Sequence, residues 1–298
     1  MCGGYTIELS INVTEDERVF IEFIFCCYTF ITITIAKYPL EDVCENLDYY
    51  IDKCENFIIE KQICKRCQET KYFGLYDGFD IKDKTNFTII NGCLLKCTQG
   101  CTFCARHSHR FIDSKYKYVS DKIYEAISKS KKIYNIQTSN TGEPFEDKYL
   151  VNNFLFNLHN SNIKRVEILT NAVHIKDISY LKQLKEYLDK YKIDVRFNIN
   201  FSGFTKELYE AYCTSKFERA VRNIKYIYEV FGKEKILITY IISKHNQHLS
   251  YNEVSKQIKE TFPFLELENV NRVLDAGMFY KTKEFFIENN NKHVLGIE

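Results

Sequence analysis

Apolar and polar residues alternate without a break along "YTIELSINV", residues 5–13. A two-residue period puts successive side chains on opposite faces, so a half-buried strand is expected. The polar stretch "TEDER" makes a turn and "VFIEFIF" begins a second strand. Residues 1–36 therefore read as strands, in a block that Pro39 ends. Over residues 40–60 the period changes. Leu40, Val43, Leu47, Tyr50, Ile51, Cys54 and Ile58 recur at helical spacing, which predicts a helix with one buried face. The apolar run 19–36 is long enough to be considered for membrane insertion. It contains Glu22 and the alternating "ITITI", so buried strand is the better reading.

The Gly/Asp-rich connector "YFGLYDGFDIKDK" follows, and a domain boundary is placed near residue 85. Residues 1–85 form an N-terminal strand-then-helix region, and 86–298 a second domain. In that domain β-rich runs at 86–90, 133–139, 165–171, 194–201, 235–242 and, more weakly, 264–269 alternate with helical patterns. The helices are expected at 119–131, 147–160, 177–191, 204–231 and 249–261. Six strands alternating with helices imply right-handed βαβ units and a parallel sheet. The fold class is α/β, as an open doubly wound sheet or as a complete or partial barrel. In a barrel, chemistry sits at the C-terminal ends of the strands.

Composition narrows the function class. The chain has 298 residues, 45% hydrophobic and 27% charged, and reads as globular. Its 41 basic and 40 acidic side chains leave a net charge of +1. That balance gives no electrostatic footprint for nucleic acid and no pull toward an anionic membrane. The Tyr and Phe residues read mostly as core and apolar surface, and without a basic stripe they make no RNA-binding platform. The N-terminus "MCGGYTIELS" has no positive region before an apolar stretch, so no secretory signal is expected and the location is expected to be cytoplasmic. In a reducing compartment clustered cysteines favour metal or redox chemistry over disulfides.

Such a cluster stands at "CLLKCTQGCTFCARH", residues 93–107. Its core is Cys97-x3-Cys101-x2-Cys104. A structural zinc site calls for four ligands, and a closed iron–sulfur site typically takes four thiolates. Three ligands leave one iron open to a small molecule, which suggests catalysis. Cys93 lies at the preceding strand end and is read as a bystander. A second set is less defined. "CKRC" (Cys64 and Cys67) has a metal-knuckle spacing, and Cys44 and Cys54 would complete four ligands. An auxiliary iron–sulfur cluster, a structural zinc site and a chance set of buried thiols all remain open there. Cys26, Cys27 and Cys213 are read as small apolar core residues.

The loop "CTQGCTFC" resembles the C-x3-C-x-aromatic-C loop of the radical S-adenosylmethionine (radical SAM) superfamily, with Phe103 as the aromatic. Its context strengthens the resemblance. "TSNTGEPF" is similar to the family's Gly-Gly-Glu-Pro motif at Thr141, Gly142, Glu143 and Pro144. "ILTNA" is similar to the family's "TNG", and "INFSG" looks like the family's "SLDG" at Asn200 to Gly203. Each falls at the C-terminal end of an expected strand, in the family's order.

The resemblance implies a partial (β/α)6 radical SAM barrel from about 86 to 280. It implies a four-iron four-sulfur cluster on Cys97, Cys101 and Cys104, with SAM chelating the open iron. Phe103 would border the adenine, Gly142 and Glu143 would suit the SAM ammonium, and Asn198, Asn200 and Ser202 would bond ribose or carboxylate. An electron donor such as flavodoxin or ferredoxin is implied, and the reaction class is oxidoreductase or transferase. Thr141 replaces the family's first glycine, Asn200 stands where Ser is common and Ser202 where Asp is common. Asn171 is expected to cap the strand–helix turn. Arg106, His107, His109, Arg110, His245 and His248 are loop residues at the active end, facing substrate or solvent, with ligation a further alternative for His107 and His109.

The substrate class rests on the N-terminal strands, since an exposed edge strand accepts an extended peptide. A peptide or protein is the leading reading. Small-molecule or cofactor biosynthesis and RNA modification are the alternatives. A non-catalytic iron–sulfur or zinc scaffold is the alternative of another class, opposed by the intact cysteine loop and Glu143.

Overall fold

A computed structural model describes residues 5–27, 32–61, 88–91, 97–99, 101, 117–138, 142–201, 203–213, 216–242, 245–266 and 269–274. They form two compact units. The first contains residues 1–95, 112–167 and 190–194, and the second 96–111, 168–189 and 195–298.

In the first unit the expected strands form, with a third joining them. β1 (Tyr5–Val13), β2 (Val19–Cys27) and β3 (Thr32–Pro39) are antiparallel neighbours. The described residues of the apolar run 19–36, which are 19–27 and 32–36, are thus strand. Among the described residues no helix is long and apolar enough to cross a membrane. β1 also pairs in parallel with β4 (Thr88–Asn91), and β4 with β5 (Asn135–Thr138), giving the order β3-β2-β1-β4-β5. The two-residue period decides which side chains enter the core. Ile7, Leu9, Ile21, Phe23 and Phe25 are buried on one face.

The single helix expected over 40–60 is two, α1 (Leu40–Glu45) and α2 (Leu47–Glu60), broken at Asn46. The face predicted from the periodicity is nonetheless the buried one, from Leu40 through Ile58. α3 (Lys117–Lys129) adds Val119, Ile123, Tyr124 and Ile127 to the core. The chain after α3 is pinned to α2. The Lys131 N–H donates to Asp48 Oδ2 at 3.0 Å, and Lys132 pairs with Asp52. The helix expected over 147–160 does not form as an α-helix. A 3-10 turn (Pro144–Glu146), a π-helical turn (Leu150–Phe154) and another 3-10 turn (Leu158–Asn160) stand there. Side chains compete for the backbone: Asn157 Nδ2 donates to the Asn153 carbonyl and the Ser161 hydroxyl to that of Leu158, each at 2.6 Å.

β6 (Arg165–Thr170) begins in the first unit and ends in the second. α4 (Ile178–Tyr191) buries Leu181, Leu184 and Leu188, one stripe of an amphipathic helix. β7 (Asp194–Asn200), β8 (Ile236–Ile242) and β9 (Val270–Leu274) pair in parallel in that order. The parallel strands alternating with helices establish the α/β class. Two helices, α5 (Lys206–Tyr212) and α6 (Phe217–Phe231), occupy the stretch expected as one. α7 (Tyr251–Thr261) starts at a capping box, Ser250 with Glu253.

At the weak strand expected over 264–269, the described residues 264–266 and 269 are not strand, and the chain turns at the end of α7 instead. The Leu265 N–H donates to the Phe262 carbonyl and Lys259 Nζ to the Leu265 carbonyl, at 3.0 and 2.9 Å, closing the end of α7. The apolar alternation there reflects turn residues packing inward, and the strand follows at β9. Phe201, just beyond β7, centres an aromatic core with Tyr209 (ring centroids 4.9 Å), Phe262 (5.3 Å) and Phe204 (5.6 Å). Gly203 permits that packing: a Cβ there would lie 2.5 Å from the Tyr209 nitrogen and 2.8 Å from the Leu208 carbonyl carbon. Only glycine lets α5 approach the β7 end so closely.

Candidate metal centre

Cys97, Thr98, Gln99 and Cys101 are the described part of the cysteine loop, in the second unit. Phe103, Cys104, Cys93 and Cys64–Cys67 lie outside the described residues, as do Arg106, His107, His109, Arg110 and Ser202. Cys101 and Gln99 are buried, and Cys97 is half-buried. Gln99 ties the loop to α5. Its Nε2 donates to the Tyr209 hydroxyl at 2.9 Å and to Cys213 Sγ at 3.4 Å. Cys213, the residue that ends α5, sits with its sulfur 3.7 Å from Cys101 Sγ. Cys213 is buried as expected of a core residue, but its neighbours are polar and sulfurous rather than purely apolar.

A second support comes from the end of β6. The Thr170 hydroxyl accepts from the Ala172 N–H and Asn171 Oδ1 from the Val173 N–H, each at 2.9 Å. Asn171 thus caps the turn after β6, and its Nδ2 also reaches Cys97 Sγ at 3.9 Å. Ala172 adopts φ 58°, a left-handed conformation that L-residues rarely hold without external support. Asn223 of α6 supplies it. Its buried Nδ2 donates to the carbonyls of Ala172 at 2.7 Å and Val173 at 3.1 Å. The cysteine sulfurs therefore meet side chains carried by two rigid elements. Soft cysteine sulfurs, with an amide donor directed at Cys97, suit iron–sulfur ligation.

Thr98 faces the other way. Its hydroxyl lies 3.1 Å from His174 Nε2. Both line a cavity of about 740 Å³ with Val173, Lys216, Glu218, Arg219 and Arg222. Glu218 pairs with Lys206 at 2.7 Å, which holds its carboxyl below the usual range through that hydrogen bond. The cavity wall is left cationic beside the loop.

In the first unit, Glu143 is not an ordinary surface carboxylate. It is 1% exposed, and its Oε1 accepts from the Phe145 N–H at 3.2 Å as the cap of the Pro144–Glu146 turn. Gly142 precedes it, half-buried. Thr138, at the end of β5, is fully buried, and among the described residues its hydroxyl finds no hydrogen-bond partner. In the second unit Asn198 and Asn200 lie on β7, and Asn198 Oδ1 accepts from the Thr239 hydroxyl at 2.5 Å. His248 is exposed and His245 half-buried, both in the turn after β8.

Among the described residues no group of three or more His, Cys, Asp or Glu converges as a metal site. Cys44 and Cys54 lie on α1 and α2. Burial pushes their thiols up from 9.0 to about 11 and about 12.

The reading of the sequence did not single out Gln99, Tyr209, His174 or Asn223. Gln99 lies inside the cysteine motif, and Tyr209 with Cys213 shares one helix face at i, i+4. Those were the available signals. His174 and Asn223 carried none, because their partners come from tertiary packing.

The family model described as Radical SAM superfamily matches residues 93–249, just over half of the chain. Solved structures similar to the chain include native anSMEcpe with bound AdoMet and Cp18Cys peptide, at 17% identity and TM-score 0.45. That match covers 63% of this chain and 50% of the other, so the chain spans half the length of that structure. Another is Streptococcus suis SuiB bound to precursor peptide SuiA, at 14% identity, TM-score 0.44, covering 95% and 70%. A third is TYW1 with a lysine-pyruvate adduct bound, at 16% identity, TM-score 0.35, covering 66% and 72%. No curated protein matches the chain.

Proposed function

The chain belongs to the radical SAM superfamily, enzymes that bind a four-iron four-sulfur cluster and SAM, and from that membership we propose that it cleaves SAM reductively to drive radical chemistry on a peptide. The observation that carries the site is the seating of Cys97 and Cys101 against Asn171, Gln99 and Cys213. Cys97, Cys101 and Cys104 would hold the cluster. When bound, the cluster would supply one electron to SAM, whose reductive cleavage would provide the radical chemistry on the substrate.

The chain's own residues bind and orient. Cys97 and Cys101 present sulfur on a loop that Gln99 fixes to α5. Asn171 donates to Cys97 and reduces the electrostatic cost of a thiolate in a half-buried setting. Glu143, buried at a turn, offers negative charge to an ammonium, with Gly142 allowing close approach. Asn198, Asn200 and Ser202 would bond ribose or carboxylate, and Phe103 would border the adenine. An electron donor such as flavodoxin or ferredoxin would approach the cationic cavity beside Thr98, whose wall of Lys216, Arg219 and Arg222 favours an acidic partner.

The peptide reading is supported by residues 1–85 as a recognition module. β3 ends the sheet order, and among the described residues it pairs with β2 alone. An edge of this kind can take on an extended strand through main-chain hydrogen bonds. A cytoplasmic location suits this reading, because a reducing compartment keeps the thiols available as ligands.

Anaerobic reconstitution followed by dithionite and SAM tests the activity. 5′-Deoxyadenosine is expected, and Cys97→Ala should lose it together with the bound iron. No 5′-deoxyadenosine, with iron unchanged in Cys97→Ala, overturns the enzyme reading. Any short peptide found encoded beside the gene tests the substrate class. Its addition should protect the β3 amides from hydrogen exchange, and unchanged exchange at β3 sinks the recognition role.

A further inference from the structure

Cys213 lies outside every motif of the family, yet its sulfur is 3.7 Å from that of Cys101 and receives the Gln99 amide at 3.4 Å. A thiol has one weak donor and one weak acceptor function. Gln99 Nε2 can only donate, so it occupies the acceptor side of Cys213. The Cys213 hydrogen is then left for Cys101. A Cys101 thiolate bound to iron carries no hydrogen, so the direction of the contact is set: Cys213 S–H donates and Cys101 Sγ accepts.

We infer that Cys213 is a positioning residue that donates its S–H to the Cys101 sulfur and thereby raises the reduction potential of the cluster. The inference rests on the cluster assignment above. A donor to a ligating sulfur stabilises the reduced, more negative cluster more than the oxidised one, so the potential rises. The geometry gives the donor a fixed aim. Cys213 is 7% exposed, and its own N–H donates to the Tyr209 carbonyl at 3.1 Å, which anchors it to the last turn of α5. The Tyr209 hydroxyl takes the same Gln99 amide at 2.9 Å, so Gln99, Tyr209 and Cys213 hold one another in register. The site is dry enough for the interaction to count, since Gln99, Tyr209, Cys101 and Cys213 are all buried. Asn171 makes a longer, parallel contact to Cys97 at 3.9 Å. Two of the three proposed ligand sulfurs thus receive a donor from outside the loop.

The test uses the intact chain, reconstituted anaerobically without SAM, with the cluster potential read by EPR-monitored titration. In Cys213→Ala the reduction equilibrium should fall about tenfold, a shift of about 59 mV to lower potential for one electron, with iron content unchanged. Cys213→Ser, which keeps an O–H donor, should recover at least half of the shift. If Cys213→Ala does not fold, Gln99→Leu removes the group that aims the thiol and should shift the potential in the same direction by a smaller amount. An unchanged potential in Cys213→Ala, or in Gln99→Leu where that variant stands in, reduces Cys213 to packing. Loss of iron in the Ala and Ser variants alike makes Cys213 a ligand rather than a donor. Either result overturns the inference. A Cys101→Ala variant that retains the wild-type cluster instead overturns the cluster assignment itself.

Discussion

Gln99 and Tyr209, 110 positions apart, meet in a buried hydrogen bond of 2.9 Å between the amide nitrogen and the phenolic oxygen. The bond fixes the cysteine loop to α5. Removing it in Tyr209→Phe leaves the ring in the aromatic core and deletes one partner. Stability should fall by about 1 kcal/mol, measured as a lower midpoint in urea with unchanged slope. The reconstituted variant should also lose iron faster to a chelator. Equal loss rates in variant and parent would detach Tyr209 from the loop.

Gly203 gives the same helix its seat. Ala at this position places a methyl 2.5 Å from the Tyr209 nitrogen, and backbone cannot move aside as a flexible side chain would. Gly203→Ala should cost about 1–3 kcal/mol, seen as a lower melting temperature. An unchanged melting temperature would mean that α5 accommodates the methyl.

Asn223 holds the turn that carries Asn171. Asn223→Leu keeps the volume but strips the Ala172 and Val173 carbonyls of a buried donor. The expected loss is about 1–3 kcal/mol for each carbonyl left unsatisfied. Asn223→Ser, which retains a shorter donor, should lose less. Equal losses would mean that the amide donor is not what holds the turn.

Cys54 supplies a pH dependence. Burial raises its thiol from 9.0 to about 12. Below pH 9 the thiol is protonated both folded and unfolded, so its contribution to stability is complete. Between pH 9 and about 12 only the unfolded chain loses the proton, so this contribution falls by about 1.4 kcal/mol per pH unit. Urea unfolding from pH 8 to 10.5 should show the decline, and Cys54→Ala should make it shallower, leaving the part that Cys44 contributes. At pH 8 the folded thiol should also resist alkylation that proceeds readily in urea.

The helix face from Leu40 to Ile58 was legible because burial of one helical face needs only local spacing. It survived the break at Asn46, which moved no buried position to the surface. The strand expected at 264–269 was misread for the same kind of reason. Inward-facing turn residues produce an alternation that a short window cannot tell from a strand. The long helix over 204–231 hid the residues that matter most, since the end of α5 at Cys213 puts that thiol beside the loop.

By itself the sequence determined the α/β rhythm, the three-cysteine loop and the strand-end motifs that place the chain in its family. These depend on spacing within a few residues and on the order of elements. Only the tertiary structure decided what surrounds the sulfurs. Cys101 and Cys213 are 112 positions apart, and nothing local to either names the other. They meet because Gly203 lets α5 lie against the end of β7. Gln99 then finds its donors' partners there, in an interior where an unpaired amide would be costly.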